Sequence, residues 1–149
     1  MRIAMGSDHA GFELKEHLAR RLRDQGHEVI DVGTHSTQSC DYPVFGEAAA
    51  RKVASGEADR AVLVCGTGQG IGMSANKVAG IRCAIVSEAF SARLSREHND
   101  ANALAIGARV VGPGVAEEIV DVWLATDFLG GRHARRVAQI DQVGAALGA

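Results

Sequence analysis

Cys65 and the glycine-rich stretch that follows it are the residues of this sequence best suited to chemistry. The stretch covers residues 66–72 and reads Gly-Thr-Gly-Gln-Gly-Ile-Gly, directly after an apolar run that predicts a buried strand. Backbone N–H groups converge at a glycine-rich turn from strand to helix, and the helix adds partial positive charge, so such a turn binds an anion. The anion is either a phosphate or an oxyanion that forms during a reaction. The same N–H groups favour the thiolate of Cys65, although a small apolar residue closing a strand would fit the position equally well.

Two nucleotide-binding motifs compete for this stretch. A Walker A loop needs a lysine that is not in place here, so that interpretation fails. A dinucleotide fingerprint of the form GxGxxA fits Gly70, Gly72 and Ala75, and Glu88 lies near the end of the next predicted strand. This alternative, an NAD-dependent dehydrogenase, stays open. However, the motif follows the third predicted strand rather than opening the fold, and its first glycine lies well inside the turn.

A cluster of basic residues opens the last predicted helix. Its members are Arg132, His133, Arg135 and Arg136. At about 100° per residue, Arg132 and Arg136 lie about 40° apart and share a face. The apolar residues of that face are Ile140, Val143 and Leu147. We therefore expect the two arginines to point inward, where an unpaired charge is costly. Their partner is a ligand phosphate or an acidic side chain of this chain or of another subunit, and Arg109 is a third candidate cation.

Two histidines lie at the ends of predicted elements. His98 ends a helix, where it either complements the helix dipole or moves protons near neutral pH. His9 follows Asp8 just after the first predicted strand. The sequence contains no HxxxH pair, no CxxC pair and no acidic cluster at ligand spacing, so it predicts no metal site.

Short apolar runs alternate with longer helical patterns along the chain. The predicted strands cover residues 2–5, 27–32, 60–64, 81–86 and 103–106. The predicted helices cover residues 10–25, 43–55, 73–78 and 87–98, a segment from Pro113 onward, and residues 132–147. Apolar strands that are each followed by a helix predict a Rossmann-like sheet of five parallel strands in a three-layer αβα sandwich. Ligands bind beyond the carboxyl ends of such strands, which places Asp8, His9, the 33–42 loop, residues 65–72 and Arg109 at one edge.

Composition and charge limit the classes of protein. The 149 residues fit one domain over residues 1–149, and the net charge of −2 gives no electrostatic reason to expect a nucleic-acid or membrane partner. The chain shows no signal-peptide pattern and no apolar run near the ~18 residues that a membrane span needs. Its three cysteines are an odd number. We therefore expect reduced thiols and a cytoplasmic protein.

Seven motifs, in order along nearly the whole chain, resemble ribose-5-phosphate isomerase B, a family that includes the galactose-6-phosphate isomerase subunits. They are Ser7-Asp8-His9-Ala10-Gly11, Asp41-Tyr42-Pro43, Cys65 with residues 66–72, Ala75-Asn76-Lys77, Gly80-Ile81-Arg82, His98-Asn99-Asp100-Ala101-Asn102, and Gly130-Gly131-Arg132-His133 with Arg136. Some members of the family carry a glutamate in the glycine-rich stretch and lack the cysteine. Here the stretch has Gln69 and no acid, so the chain resembles the cysteine type.

The resemblance implies an αβα sandwich that works without a metal or cofactor on a sugar phosphate. It implies a homodimer, or a dimer of dimers, with active sites between subunits. Cys65 would be the base that moves the proton between C1 and C2 of an aldose phosphate, and His98 would open the furanose ring. The enediolate would be stabilised by the backbone amides of residues 66–70, which are Gly66, Thr67, Gly68, Gln69 and Gly70. Thr67 would assist.

The resemblance also implies which residues bind the rest of the substrate. Asp8, His9 and Asn99 would hold sugar hydroxyls, and Tyr42 would pack against the sugar. The phosphate would be held by basic side chains, namely Arg109, Arg132 and Arg136, with His133 nearby. Ribose 5-phosphate is the expected substrate within the pentose phosphate pathway. Allose, galactose and tetrose phosphates stay open, as does a non-catalytic module that binds a phosphometabolite.

Overall fold

Five parallel strands form the central sheet of this protein. The computed structural model describes residues 1–143 and 145 of the chain. The strands are β1 (Arg2–Ser7), β2 (Glu28–Gly33), β3 (Arg60–Cys65), β4 (Cys83–Ile85) and β5 (Ala103–Gly107). They lie side by side in the order β2-β1-β3-β5-β4. Every neighbouring pair is parallel, so all carboxyl ends meet at one edge, which we call the carboxyl edge, opposite the amino edge.

Helices cover both faces of this sheet. They are α1 (Phe12–Asp24), α2 (Tyr42–Ala54), α3 (Gln69–Ala75), α4 (Ala89–Asn99), α5 (Pro113–Ala125) and α6 (Arg132–Gln142). Helices α1, α4 and α5 pack on one face, and α2 and α3 pack on the other. The predicted three-layer αβα sandwich with five parallel strands is therefore confirmed.

The two faces of the sheet differ in the size of their side chains. The face under α1, α4 and α5 carries large residues such as Met5, Val62 and Ile106. The face under α2 and α3 is rich in alanine, and its buried residues include Ala4, Ala61, Ala103 and Ala105. Small side chains let α2 and α3 approach the sheet closely. Helices α2 and α3 also lie close together, since a Cβ added to Gly46 of α2 would lie 2.7 Å from the carbonyl oxygen of Ile71.

Helix α3 begins earlier than the sequence predicted. It starts at Gln69, within the glycine-rich stretch, and ends at Ala75, whereas the prediction covered residues 73–78. The difference arises at Gly68, whose φ of 80° turns the chain sharply enough for the helix to start at the next residue. Strand β4 is also shorter than predicted, because it is an edge strand that pairs with β5 alone.

Helix α6 ends at Gln142, whereas the prediction ran to residue 147. Val143 ends it with extended backbone, and Leu147 lies outside the described residues. In the described part of the chain, no helix combines the length and the apolar character that crossing a membrane requires.

Candidate active site

Cys65 ends β3 at the carboxyl edge, where it is only 4% exposed. Its Sγ accepts a hydrogen bond from the backbone N–H of Gly68 at 3.1 Å. The sulfur is thus in contact with one of the backbone N–H groups of the glycine-rich stretch. The thiol therefore lies inside the turn made by its own glycine-rich stretch, where an anion would also bind.

The glycine-rich stretch is pressed against the end of β5. A Cβ on Gly68 would lie 2.9 Å from the carbonyl carbon of Ile106, and one on Gly107 would lie 2.6 Å from that of Thr67. Thr67 Oγ1 accepts the N–H of Gln69 at 3.3 Å, which turns this hydroxyl toward the start of α3. The turn is thus held by backbone packing, so its N–H groups are oriented before any ligand arrives.

Arg109 and Tyr42 border the turn on two sides. The N–H of Arg109 donates to the carbonyl of Gly66 at 3.0 Å, and a Cβ on Gly66 would lie 3.4 Å from Arg109 Nη1. The ring of Tyr42 covers Gly70, where an added Cβ would lie 2.4 Å from the ring. Both side chains are exposed, so a guanidinium and a phenol ring lie beside the glycine-rich stretch that surrounds Cys65.

Asp8 and His9 follow β1 on the same edge. The carboxylate of buried Asp8 accepts the N–H of Gly11 at 3.0 Å. His9 Nδ1 accepts the N–H of Cys40 at 3.2 Å. A neutral ring in this arrangement carries its proton on Nε2, which can donate to an oxygen of a ligand. Because β1 pairs directly with β3, both residues lie beside Cys65.

His98 and Asn99 lie at the amino edge of the sheet. Helix α4 crosses back from the end of β4 and finishes at Asn99, just before β5 begins at Ala103. The rise of the four residues from Ala103 to Gly107 alone separates the two edges by about 13 Å. One chain therefore does not bring His98 and Cys65 together.

His98 forms a stacked pair with His133 of α6. The ring centroids are 4.3 Å apart and the planes differ by 11°. Burial lowers the pKa of His133, and the nearby charges of His98, Arg132 and Arg136 lower it further. His133 is therefore uncharged near neutral pH, in a region whose charge is set by the arginines of α6.

The expectation that Arg132 and Arg136 point inward is wrong, because both are exposed in the chain. Helix α6 packs instead through His133 and Val137, about 100° around the helix. Two apolar residues of the predicted inward face are exposed with the arginines, Ile140 by 45% and Val143 by 82%. Among residues 1–143 and 145, neither arginine forms an ion pair, so this face of α6 is open and cationic.

The structure argues against the dinucleotide alternative. The carboxylate of Glu88 caps α4 by accepting the N–H of Ser91 at 2.9 Å. Glu88 follows β4, and β5 lies between that strand and β3, whereas the ribose-binding acid of a dinucleotide fold follows the neighbouring strand. Within residues 1–143 and 145, no group of three or more His, Cys, Asp or Glu side chains is placed to hold a metal ion.

Two features of this region were not predicted from the sequence. One is the stack of His98 on His133, which joins residues of distant helices. The other is Arg82, whose side chain donates to the carbonyl groups of Asn99 and Asp100 at the end of α4. The sequence does carry a signal for Arg82, since this residue belongs to the Gly80-Ile81-Arg82 motif.

Comparison with known proteins agrees with these observations. A family model described as Ribose/Galactose Isomerase matches residues 3–140. The chain is 51% identical over 142 residues to ribose-5-phosphate isomerase B of Escherichia coli, with 95% of each chain covered. It is 48% identical over 128 residues to a galactose-6-phosphate isomerase subunit of Clostridium acetobutylicum, covering 86% of this chain and 74% of that one.

Solved structures agree in fold as well. The structure of ribose-5-phosphate isomerase B from Clostridium thermocellum has a TM-score of 0.97 at 53% identity, with 99% of each chain covered. That of the Thermotoga maritima enzyme has a TM-score of 0.92 at 46% identity, covering 95% of this chain and 97% of the other. The resemblance inferred from the sequence motifs is confirmed. The chain belongs to the ribose/galactose isomerase family and is an aldose–ketose isomerase.

Proposed function

We propose that this chain interconverts D-ribose 5-phosphate and D-ribulose 5-phosphate through an enediolate, with no cofactor and with Cys65 as the base. The observation that carries the proposal is the hydrogen bond from the Gly68 N–H to Cys65 Sγ, because it holds the sulfur at the point where an oxyanion would also be bound. The relatives named ribose-5-phosphate isomerase B support this substrate over other aldose phosphates.

The proposed reaction begins with ring opening. His98 takes the proton of the O1 hydroxyl, the C1–O4 bond breaks to give the open aldehyde, and His98 passes that proton to O4. The Cys65 thiolate then removes the proton from C2, which becomes acidic because it adjoins the carbonyl. Charge builds on O1, where the N–H groups of the glycine-rich stretch and Thr67 stabilise it. A proton passes from O2 to O1, and the Cys65 thiol returns its proton to C1 to give the ketose.

The remaining side chains fit binding rather than proton transfer. Asp8, His9 and Asn99 would hold sugar hydroxyls, and the ring of Tyr42 would lie against the sugar. The phosphate would be bound by Arg109, Arg132 and Arg136, with His133 beside them. A phosphate held away from the reacting carbons anchors the substrate in the reactive orientation without taking part in the reaction.

We further propose that the working unit is a homodimer, or a pair of such dimers, in which each site uses both subunits. The placement of Cys65 and His98 at opposite edges of one chain supports this, since the proposed chemistry needs both at one substrate. The exposed face of Arg132, Arg136, Ile140 and Val143 supports it too, because it is free to reach a neighbouring subunit. We place this single isomerase domain in the cytoplasm and in the pentose phosphate pathway, where its three free cysteines would stay reduced.

The testing experiment compares turnover of ribose 5-phosphate, after treatment with a chelator, by the wild-type protein and by Cys65→Ala. We expect turnover by the wild type and a loss of at least about a hundredfold in the variant, while its affinity for a phosphate ligand changes little. Cys83→Ala is the matched control, because Cys83 is also buried and burial raises its pKa to about 12, which keeps it a thiol. An equally active Cys65→Ala protein would remove the cysteine from the mechanism.

Galactose 6-phosphate is the second candidate substrate, favoured by the 48% identity to a galactose-6-phosphate isomerase subunit. Turnover of this sugar, but not of ribose 5-phosphate, would replace the first proposal. Allose and tetrose phosphates are tested in the same assay. A protein that binds these phosphates and converts none of them would be a binding module.

A further inference from the structure

The side chain of Arg82 donates hydrogen bonds from all three of its nitrogen atoms. Arg82 lies just before β4, and its side chain is 14% exposed. Its Nε donates to the carbonyl oxygens of Asn99 at 3.1 Å and of Asp100 at 3.2 Å, and its Nη2 donates to that of Asp100 at 3.0 Å. The last carbonyl groups of a helix have no partner within it, so Arg82 satisfies the end of α4 directly after His98.

The same guanidinium also reaches α6. Its Nη1 donates to both carboxylate oxygens of Asp141, at 2.9 and 3.1 Å. Charged hydrogen bonds of this kind are stronger than neutral ones, and the planar guanidinium fixes their directions. One side chain thus joins the end of α4 to α6.

The turn that carries Arg82 is itself fixed. Asn102 Oδ1 accepts the backbone N–H of Arg82 at 2.9 Å, and Asn102 Nδ2 donates to the carbonyl of Gly80 at 2.9 Å. Asp100, which adopts a left-handed conformation with φ 47°, is also held by Arg96 Nη1 at 2.8 Å from its Oδ1. Arg82 is therefore a rigid link between α4 and α6 rather than a mobile surface arginine.

Helices α4 and α6 are the two elements that contribute the rings of His98 and His133. A stack with centroids 4.3 Å apart persists only while the two helices keep their relative position. From this geometry we infer that Arg82 is a positioning residue that holds His98 on His133 in the orientation needed for ring opening. The inference rests on the proposed function, since it assigns His98 its role there.

The test uses full-length wild type and Arg82→Lys, each with isotope-labelled histidine. The lysine keeps the charge, but one ammonium group cannot span the carbonyl groups of α4 and the carboxylate of α6. We expect the NMR signals of His98 and His133 to lose the upfield shift that a stacked ring causes. We also expect kcat/KM for ribose 5-phosphate to fall by about tenfold or more, because small displacements of a reacting group reduce rates steeply.

Arg93→Lys is the matched control. Arg93 lies on α4 and pairs with the partly buried carboxylate of Glu97, and it donates to none of the carbonyl groups at the end of the helix. We expect its ring signals and turnover to match those of the wild type. Unchanged ring signals in Arg82→Lys, or turnover within twofold of the wild type despite altered signals, would overturn the inference.

The inference can still be tested if the first variant does not fold or if the wild type shows no turnover. If Arg82→Lys does not fold, Asp141→Asn replaces it, because this exposed carboxylate is the α6 end of the link, and the same two measurements apply. If the wild type converts no ribose 5-phosphate, the proposed function fails. The ring signals of the variants then decide by themselves whether Arg82 maintains the stack, and unchanged signals overturn the inference.

Discussion

At the level of single residues, Gly68 has two structural roles. Its N–H donates to the thiol of Cys65, and its left-handed backbone turns the chain into α3. Neither task needs a side chain, and there is no space for one, because an added Cβ would lie 2.9 Å from the backbone of β5. The thiol environment is therefore created by backbone geometry, which links the proposed role of Cys65 as the base to how closely this turn packs.

We predict that Gly68→Ala lowers turnover by at least about tenfold, because relieving the clash moves the N–H away from the thiol. Gly26→Ala is the control: Gly26 has a comparable φ of 88° and nothing within 4 Å of an added Cβ. Both substitutions add backbone strain of about 1 kcal/mol, but only the first should change kcat. Equal kcat values for the two variants in the folded state would contradict this account.

His133 makes stability depend on pH. Its folded-state pKa lies below the ordinary value of 6.5, so the unfolded chain binds a proton more readily than the native protein. The stability that this difference contributes is therefore fully present above pH 6.5 and is lost as the pH falls from that value through the lower folded-state pKa. We predict that the melting temperature of His133→Gln falls less than that of the wild type when the pH is lowered from 7.5 to 5.5. Thermal unfolding at the two pH values measures this difference. A larger loss in the variant would show the opposite sign.

At the level of elements, α1 is joined to the end of β2 by a buried ion pair. Lys15 is fully buried, and its Nζ lies 2.6 Å from Asp31 Oδ2 and 2.9 Å from Glu16 Oε1. Asp31 Oδ1 also accepts the N–H of Gly33, where the long loop toward α2 begins. The pair therefore fixes the start of the loop that carries Cys40, the partner of His9.

We predict that Lys15→Met destabilises the protein by about 3 kcal/mol, because it leaves the carboxylate of Asp31 without its partner. Arg51→Met is the control, since Arg51 pairs with Glu47 on the surface of α2 and should cost less than about 1 kcal/mol. Denaturant unfolding measures both values. A cost for Lys15→Met no greater than that for Arg51→Met would show that the buried pair adds no more than a surface one.

How much could be predicted from the sequence also differs between elements. Parallel strands end at one edge, so the pattern of apolar runs was sufficient to place Cys65, Asp8 and Arg109 together. The packing of α6 was predicted wrongly, because helical spacing shows which residues share a face but not which of two partly apolar faces is buried. Here His133 and Val137 pack inward, and the arginines do not. The contact of Tyr42 with Gly70 depends on the path of the 33–42 loop, which no periodic pattern describes.

At the level of the whole molecule, the candidate site residues divide into two groups on opposite edges of the sheet. Cys65, Asp8, His9 and Arg109 belong to the carboxyl edge, and His98 and the basic residues of α6 belong to the amino edge. If each site combines the carboxyl edge of one chain with the amino edge of another, every chain contributes to two sites. Inactive variants from the two groups should then complement each other.

We predict that a mixture of Cys65→Ala and His98→Ala, unfolded and refolded together, regains about a quarter of wild-type turnover. Random pairing makes half of the dimers mixed, and each mixed dimer has one site with both residues intact. A mixture of Cys65→Ala with Thr67→Ala is the control, since both changes lie in the same group and restore no intact site. Recovery no greater than the sum of the separate variants would mean that the site is not shared in this way.

The alanine-rich face under α2 and α3 has a consequence for which core mutations this protein can accept during evolution. Helix α3 starts in the glycine-rich stretch, so a larger side chain beneath it would lift the turn that holds Cys65. On the opposite face, large residues can exchange with one another without moving this turn. Random mutation of the core should therefore be tolerated unequally by the two sides. Variants that stay folded but lose activity should arise mainly on the alanine-rich face, because a larger side chain there also moves the turn that holds Cys65.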